Sequence, residues 1–314
     1  MQGGSIWTTC NAIWSVWFCG ESDCSRLIVV VILKDFIQSS YFDKKEFIKQ
    51  TKINLLVLLQ KDHLLFGQMD QEKRDKFTGL WEKYFNNAEL PIAFQYTDNN
   101  QDIPVSEAPQ GHRCLIAQLL KVRHGGAICL QPHSVPCIGG KRYMMFTDSM
   151  PKDFECYISH YPNGRGERYK LHPAQVSNFW DNLPKLPTKG NSVIFKRWDQ
   201  LEDRDEPDAV IFFATPDVLS GLFTLTCFDS IAEDAVIAPF GAGCINIIYY
   251  PYREQIRGTA RAVIGLMDPS ARKCTKGDLV TFAIPITKFM AIIDQMEESF
   301  LATDTWKIIQ SRIV

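Results

Sequence analysis

Hydrophobic and polar positions keep two different rhythms along this chain, and the change falls near Met69. Downstream of Met69-Asp70-Gln71-Glu72, the residues Phe77, Leu80, Trp81, Tyr84 and Phe85 recur at steps of three and four. That is the spacing of one helix face, with acidic residues in its first turn. Short apolar runs then alternate with helix-like stretches. Residues 91–96 read as a strand, 114–123 as a helix stopped by Gly125-Gly126, and 127–131 as a strand. Residues 155–161 and 168–171 read as two strands flanking a hairpin loop, Pro162-Asn163-Gly164-Arg165-Gly166, whose residues tolerate positive φ. Pro173 opens a helix over 174–183. Three strand-then-helix units follow: 209–214 with 216–227, 235–238 with 241–249, and 279–284 with 287–301. In the last helix Phe289, Ile292, Ile293, Met296 and Phe300 form a core-facing stripe. This alternation predicts an α+β protein of mixed α/β layers, a single compact domain over residues 69–314.

Upstream, three of the seven Trp and three of the ten Cys crowd into the first 24 positions, and the apolar runs 27–33 and 53–59 keep no amphipathic period. The expectation is that Met69 is the native start and that residues 1–68 are a spurious, poorly ordered extension. The aliphatic run 27–33 is far shorter than the roughly 20 residues a membrane-spanning helix needs. Nor does the start offer a basic stretch, an apolar core and a cleavage site in secretory order.

Composition narrows the function classes. With 46% hydrophobic and 22% charged residues the 314-residue chain can bury a substantial core, and a net charge of −2 is far from the basic excess of nucleic-acid binders. Neither a nucleic acid nor a membrane is the expected partner. Ten irregularly spaced cysteines favour free or metal-bound thiols in a reducing cytoplasm over a disulfide framework. The acidic run 198–206 reads as a solvated loop or helix end.

Phosphate-loop, zinc-protease, nucleophile-elbow and close Cys-x-x-Cys signatures are absent from the sequence. Three cysteines stand out instead. Cys114 opens a helix, Cys137 precedes Gly139-Gly140, and Cys244 ends Pro239-Phe240-Gly241-Ala242-Gly243-Cys244. A thiol beside a glycine turn meets unencumbered backbone N–H groups, which suit a metal, a cluster or an anion.

The order of these pieces carries a family resemblance. Arg113-Cys114 with its helix, Gly125-Gly126-Ala127-Ile128 and Cys137-Ile138-Gly139-Gly140 are followed by the Pro239–Cys244 turn. Then come Gly265-Leu266-Met267-Asp268-Pro269-Ser270-Ala271-Arg272 and a proline-led helix at Ile284-Pro285. From about residue 70 to the C terminus the chain resembles the prokaryotic family called domain of unknown function 169, or archaeal conserved region family. That resemblance implies no established activity. Family members carry a further cysteine shortly before the late arginine, where this chain offers only Asp268.

Two ligand classes are therefore expected at one shared pocket. In the first, Cys114, Cys137 and Cys244 with Asp268 or His133 hold zinc, iron or an iron–sulfur cluster. In the second, Lys141, Arg142 and Arg272 with the turns at Gly139, Gly140, Gly241 and Gly243 receive a small organic anion against Tyr143, Phe146 and Phe240. A cysteine-dependent enzyme acting on a small molecule and a purely structural or partner-binding domain are the competing classes.

Overall fold

Both faces of a single strand fix the plan of the molecule. In β1 (Ile92–Thr97) the side chains of Ile92, Phe94 and Tyr96 enter one buried cluster while Ala93 enters another, so the strand is covered on both sides. A sheet buried on two faces needs two helix layers, and the chain supplies them. The structure, a computed structural model, describes Thr8–Thr9, Ala12–Ile13 and residues 70–98, 103–110, 114–160 and 166–313. Expectations for residues 1–68 otherwise lie outside the described residues.

The remaining strands of this sheet are β2 (Ala127–Leu130), β3 (Ser192–Arg197), β4 (Ala209–Ala214), β5 (Val236–Ile237), β6 (Ala262–Gly265) and β7 (Val280–Pro285). Their order in the sheet is β2-β3-β1-β4-β7-β6-β5, antiparallel except for the short β5–β6 pair. Phe94 faces Phe195, and Phe212 faces Phe282, which fixes the register of the central ladders. The strand–helix alternation read from the sequence is thus present, but as a largely antiparallel sheet.

One face is closed by α1 (Gln71–Phe85), α6 (Pro216–Cys227), α9 (Ile286–Gln295) and α10 (Asp304–Gln310). Asp70 caps α1 by accepting from Lys73 N at 2.9 Å. Trp81 stacks on Phe85 at 4.2 Å, and Phe77 meets Phe289 and Trp198 edge-on at 4.9 and 5.0 Å. Each such aromatic contact adds about 0.5–1.5 kcal/mol beyond area burial. The opposite face is covered by α2 (Leu115–Arg123), α3 (Ile138–Tyr143) and a π-turn at Ile245–Tyr249 that runs into α7 (Tyr250–Arg257). Beside it α4 (Phe154–Ile158) packs on α5 (Pro173–Asp181), and α8 (Pro269–Arg272) is a single turn after β6.

Three expectations change. Residues 155–161 were expected as a strand, yet Phe154–Ile158 is helical and residues 168–171 form no strand. Glu167 N and Tyr169 N instead donate to the carbonyls of Tyr157 and Ile158, so the returning chain caps the short helix rather than pairing with a strand. The helix expected over 241–249 begins at Gly243 and runs on through the π-turn to Arg257, with Pro251, which has no N–H to donate, lying inside this continuous run just after the widened turn. The acidic run 198–206 is not wholly solvated. Asp205 is buried, and Lys196 Nζ donates to both its oxygens at 2.9 and 2.8 Å.

Candidate functional site

On the α2/α3 side of the sheet the layers part to leave a cavity of about 770 Å³. Its walls come from segments far apart in the sequence, and four backbone turns deliver them. Cys114 is the extended N-cap of α2, and Cys137 is the extended N-cap of α3. Cys244 starts the π-turn and is buried. Asp268 caps α8, where its Oδ1 accepts from Ser270 N at 2.9 Å and Ser270 Oγ at 2.7 Å, while Oδ2 accepts from Gly243 N at 3.2 Å. One carboxylate thereby ties the Pro239–Cys244 turn to α8.

Gly243 explains how closely these parts meet. A Cβ there would lie 2.9 Å from Ala271 Cβ and 3.1 Å from Ile116 Cγ1, so only glycine lets α2 and α8 close around the turn.

The aromatic wall is built mostly by α4 and α5. Phe154 lies parallel to Trp180 at 6.0 Å and to Tyr157 at 5.5 Å, and Trp180 Nε1 donates to Tyr143 Oη at 3.3 Å. Across the cavity Phe240, nearly half exposed, meets Tyr169 edge-on, and Lys170 Nζ lies 5.3 Å from the centre of its ring.

The charged residues divide into engaged and unengaged groups. Glu167 accepts from Tyr169 Oη at 2.7 Å and from Tyr157 Oη at 2.9 Å, and these hydrogen bonds, Tyr169's first, hold its carboxyl below the usual range. Asp268 spends both oxygens within the protein. Among the described residues, Lys152, Lys170 and Lys273 on the same cavity form no ion pair within 4 Å. Lys273 feels Glu167 only at longer range.

Burial, with the neighbouring thiols Cys274 and Cys137 adding to it, pushes the Cys114 thiol up to about 12. Burial also drives the Cys244 thiol well above its ordinary value. Both sulfurs stay protonated near neutral pH.

Of the residues expected from the sequence, Cys114, Cys137, Cys244, Asp268, Gly139, Gly241 and Gly243 line the cavity, as do Tyr143 and Phe240. His133 is exposed and takes no part. Gly140, Lys141, Arg142, Arg272 and Phe146 do not line it either. The two arginines are occupied elsewhere. Arg272 donates to the carbonyls of Leu266, Leu279 and Gly277, bracing the turn before β7, while Arg142 donates to those of Trp180 and Asp148. The three lysines, the α4/α5 aromatics and Cys274 were not anticipated; only the position of Cys274, two residues past Arg272, signalled anything in the sequence.

Among the described residues no group of three or more His, Cys, Asp or Glu side chains is arranged to hold a metal ion. No helix of the described residues is long and apolar enough to cross a membrane. A family model described as domain of unknown function 169, an uncharacterised ArCR, matches residues 82–295. No curated protein and no solved structure matches the chain.

Proposed function

The chain belongs to the family of domain of unknown function 169, whose description assigns no activity, and from its own cavity we propose that it binds a small organic anion with a flat apolar body. The observation that carries this reading is the pairing of an aromatic wall with three lysines that have no ion partner among the described residues. A cavity of about 770 Å³ falls within the roughly 300–1,000 Å³ typical of small-molecule sites. Trp180, Phe154 and Phe240 offer ring faces for the body of the ligand. Lys152, Lys170 and Lys273 offer charge for its carboxylate, sulfonate or phosphate. Glu167 and Asp268 turn their oxygens to internal donors, which occupies their acceptor positions but leaves their charge in place, and Asp153 adds a third carboxylate to the lining, so the lysines act on the ligand locally rather than through a net positive cavity.

Two neighbouring readings carry less. A thiolate enzyme needs an ionised sulfur with a base beside it, whereas Cys114 and Cys244 are held protonated and no described histidine lines the cavity. A metal centre would require the thiols and Asp268 to regroup. We further infer that residues 69–314 suffice for binding, since the family match and the compact unit from Phe66 both lie almost wholly within them.

The test is a titration with 1-anilinonaphthalene-8-sulfonate, an aromatic body bearing a sulfonate, against its neutral analogue N-phenyl-1-naphthylamine. One saturable site is expected, tighter for the sulfonate and weakened at least about tenfold by Lys170→Ala with Lys273→Ala. Equal affinity for both dyes would sink the anion reading. Binding untouched by those lysines and by Phe240→Ala would sink the cavity itself.

A further inference from the structure

Four thiols line a cavity whose ligand reading makes no use of them: Cys114, Cys137, Cys244 and Cys274. Two of them stand apart from the rest. Cys114 and Cys274 are neighbours near enough for each sulfur to bear on the other's proton, with Cys274 Sγ 3.9 Å from the Ser270 carbonyl, and both residues are half-buried on the cavity wall, where a small solute can reach them. Each is carried by rigid backbone. The Cys114 carbonyl accepts from Ala117 N at 3.1 Å as α2 begins, and Cys274 N donates to the Ala271 carbonyl at 2.9 Å as α8 ends. Gly243 lets Ile116 of α2 and Ala271 of α8 crowd around one point, so the elements bearing the two sulfurs already stand side by side.

We propose that Cys114 and Cys274 form a redox-active dithiol which a peroxide oxidises to a disulfide across the cavity. Cys274 sulfur, as thiolate, attacks one peroxide oxygen; the O–O bond breaks, leaving a sulfenic acid on Cys274 and hydroxide, which takes up a proton to leave as water. Cys114 sulfur then loses its proton and displaces hydroxide from that sulfenic acid. The S–S bond forms and a second water departs. Two electrons pass from the two sulfurs to the peroxide, and a dithiol reductant returns them. The high proton affinity of Cys114 assigns it the second, resolving step. The bond pins the start of α2 to the end of α8 at the wall that the ligand would share. This inference stands without the anion reading, and its test contains no ligand.

The full chain, fully reduced, is exposed to hydrogen peroxide; it is then denatured, the remaining thiols are alkylated, and the tryptic peptides are read by mass spectrometry. One linked pair is expected, joining the Cys114 and Cys274 peptides with a mass two hydrogens below their sum and released by dithiothreitol. In Cys274→Ser that pair disappears and Cys114 becomes alkylatable after peroxide. The inference is overturned if both wild-type thiols remain alkylatable to the reduced level, or if Cys114 is linked instead to Cys137 or Cys244. The wild-type map alone decides between these outcomes, so a variant that folds poorly costs the test nothing.

Discussion

The two faces of the sheet are covered by opposite strategies. On one, α1, α9 and α10 bring Phe77, Trp81, Phe85, Phe289 and Trp306 into continuous ring-on-ring contact with Phe212 of β4. On the other, short helices and tight turns stop short of full contact and leave a cavity lined by thiols, rings and lysines. Long helices can bury a stripe and fill space; one-turn helices such as α8 expose their ends, and exposed ends bring polar groups to a surface. The first face is packed shut, while the second combines a buried cluster at least as large with the open chemistry of the cavity.

The sharpest way to break that division is Trp81→Ala. Removing a fully buried indole that stacks on Phe85 should cost about 3–5 kcal/mol in chemical denaturation while leaving dye affinity per folded molecule unchanged. A large loss of affinity would mean that the faces are coupled. Next comes Asp268→Ala, which removes the cap of α8 and leaves Gly243 N without its acceptor. A loss of about 1–3 kcal/mol is expected, this time together with weaker dye binding.

The thiols supply a test in pH. Because burial lifts Cys114 to about 12, its alkylation by iodoacetamide at pH 8 should run at least about tenfold slower than in the denatured chain, and should keep accelerating well above pH 9. A plateau near pH 9 would mean that the site is open to solvent. The smallest effect on stability belongs to Phe240→Ala. Loss of this half-exposed ring should shift unfolding by no more than about 0.5 kcal/mol yet weaken dye binding several-fold.

How far the sequence foretold this differs between the same two faces. The periodic stripe of α1 and the apolar strands β4 and β7 were readable because one pattern served both propensity and packing. β3 escaped notice because Lys196 interrupts its apolar run. Its charge is tolerated only because Asp205, nine residues later, is buried against it. Around the cavity, glycine and cysteine marked the turns that deliver Cys114, Cys137 and Cys244, since a tight turn leaves a local trace. The lysines left none. Arg272 and Arg142 looked like anion receptors in the sequence, and only the fold reveals the carbonyls that consume their donors.

The place of β7 within the sheet has a consequence for biosynthesis. Residues 280–285 insert between β4 and β6, so the two halves of the sheet remain unjoined until that strand has left the ribosome. Everything from residue 92 to residue 285 must therefore be made before the ladder can close, and pairings of such wide sequence separation are the kind that slow folding.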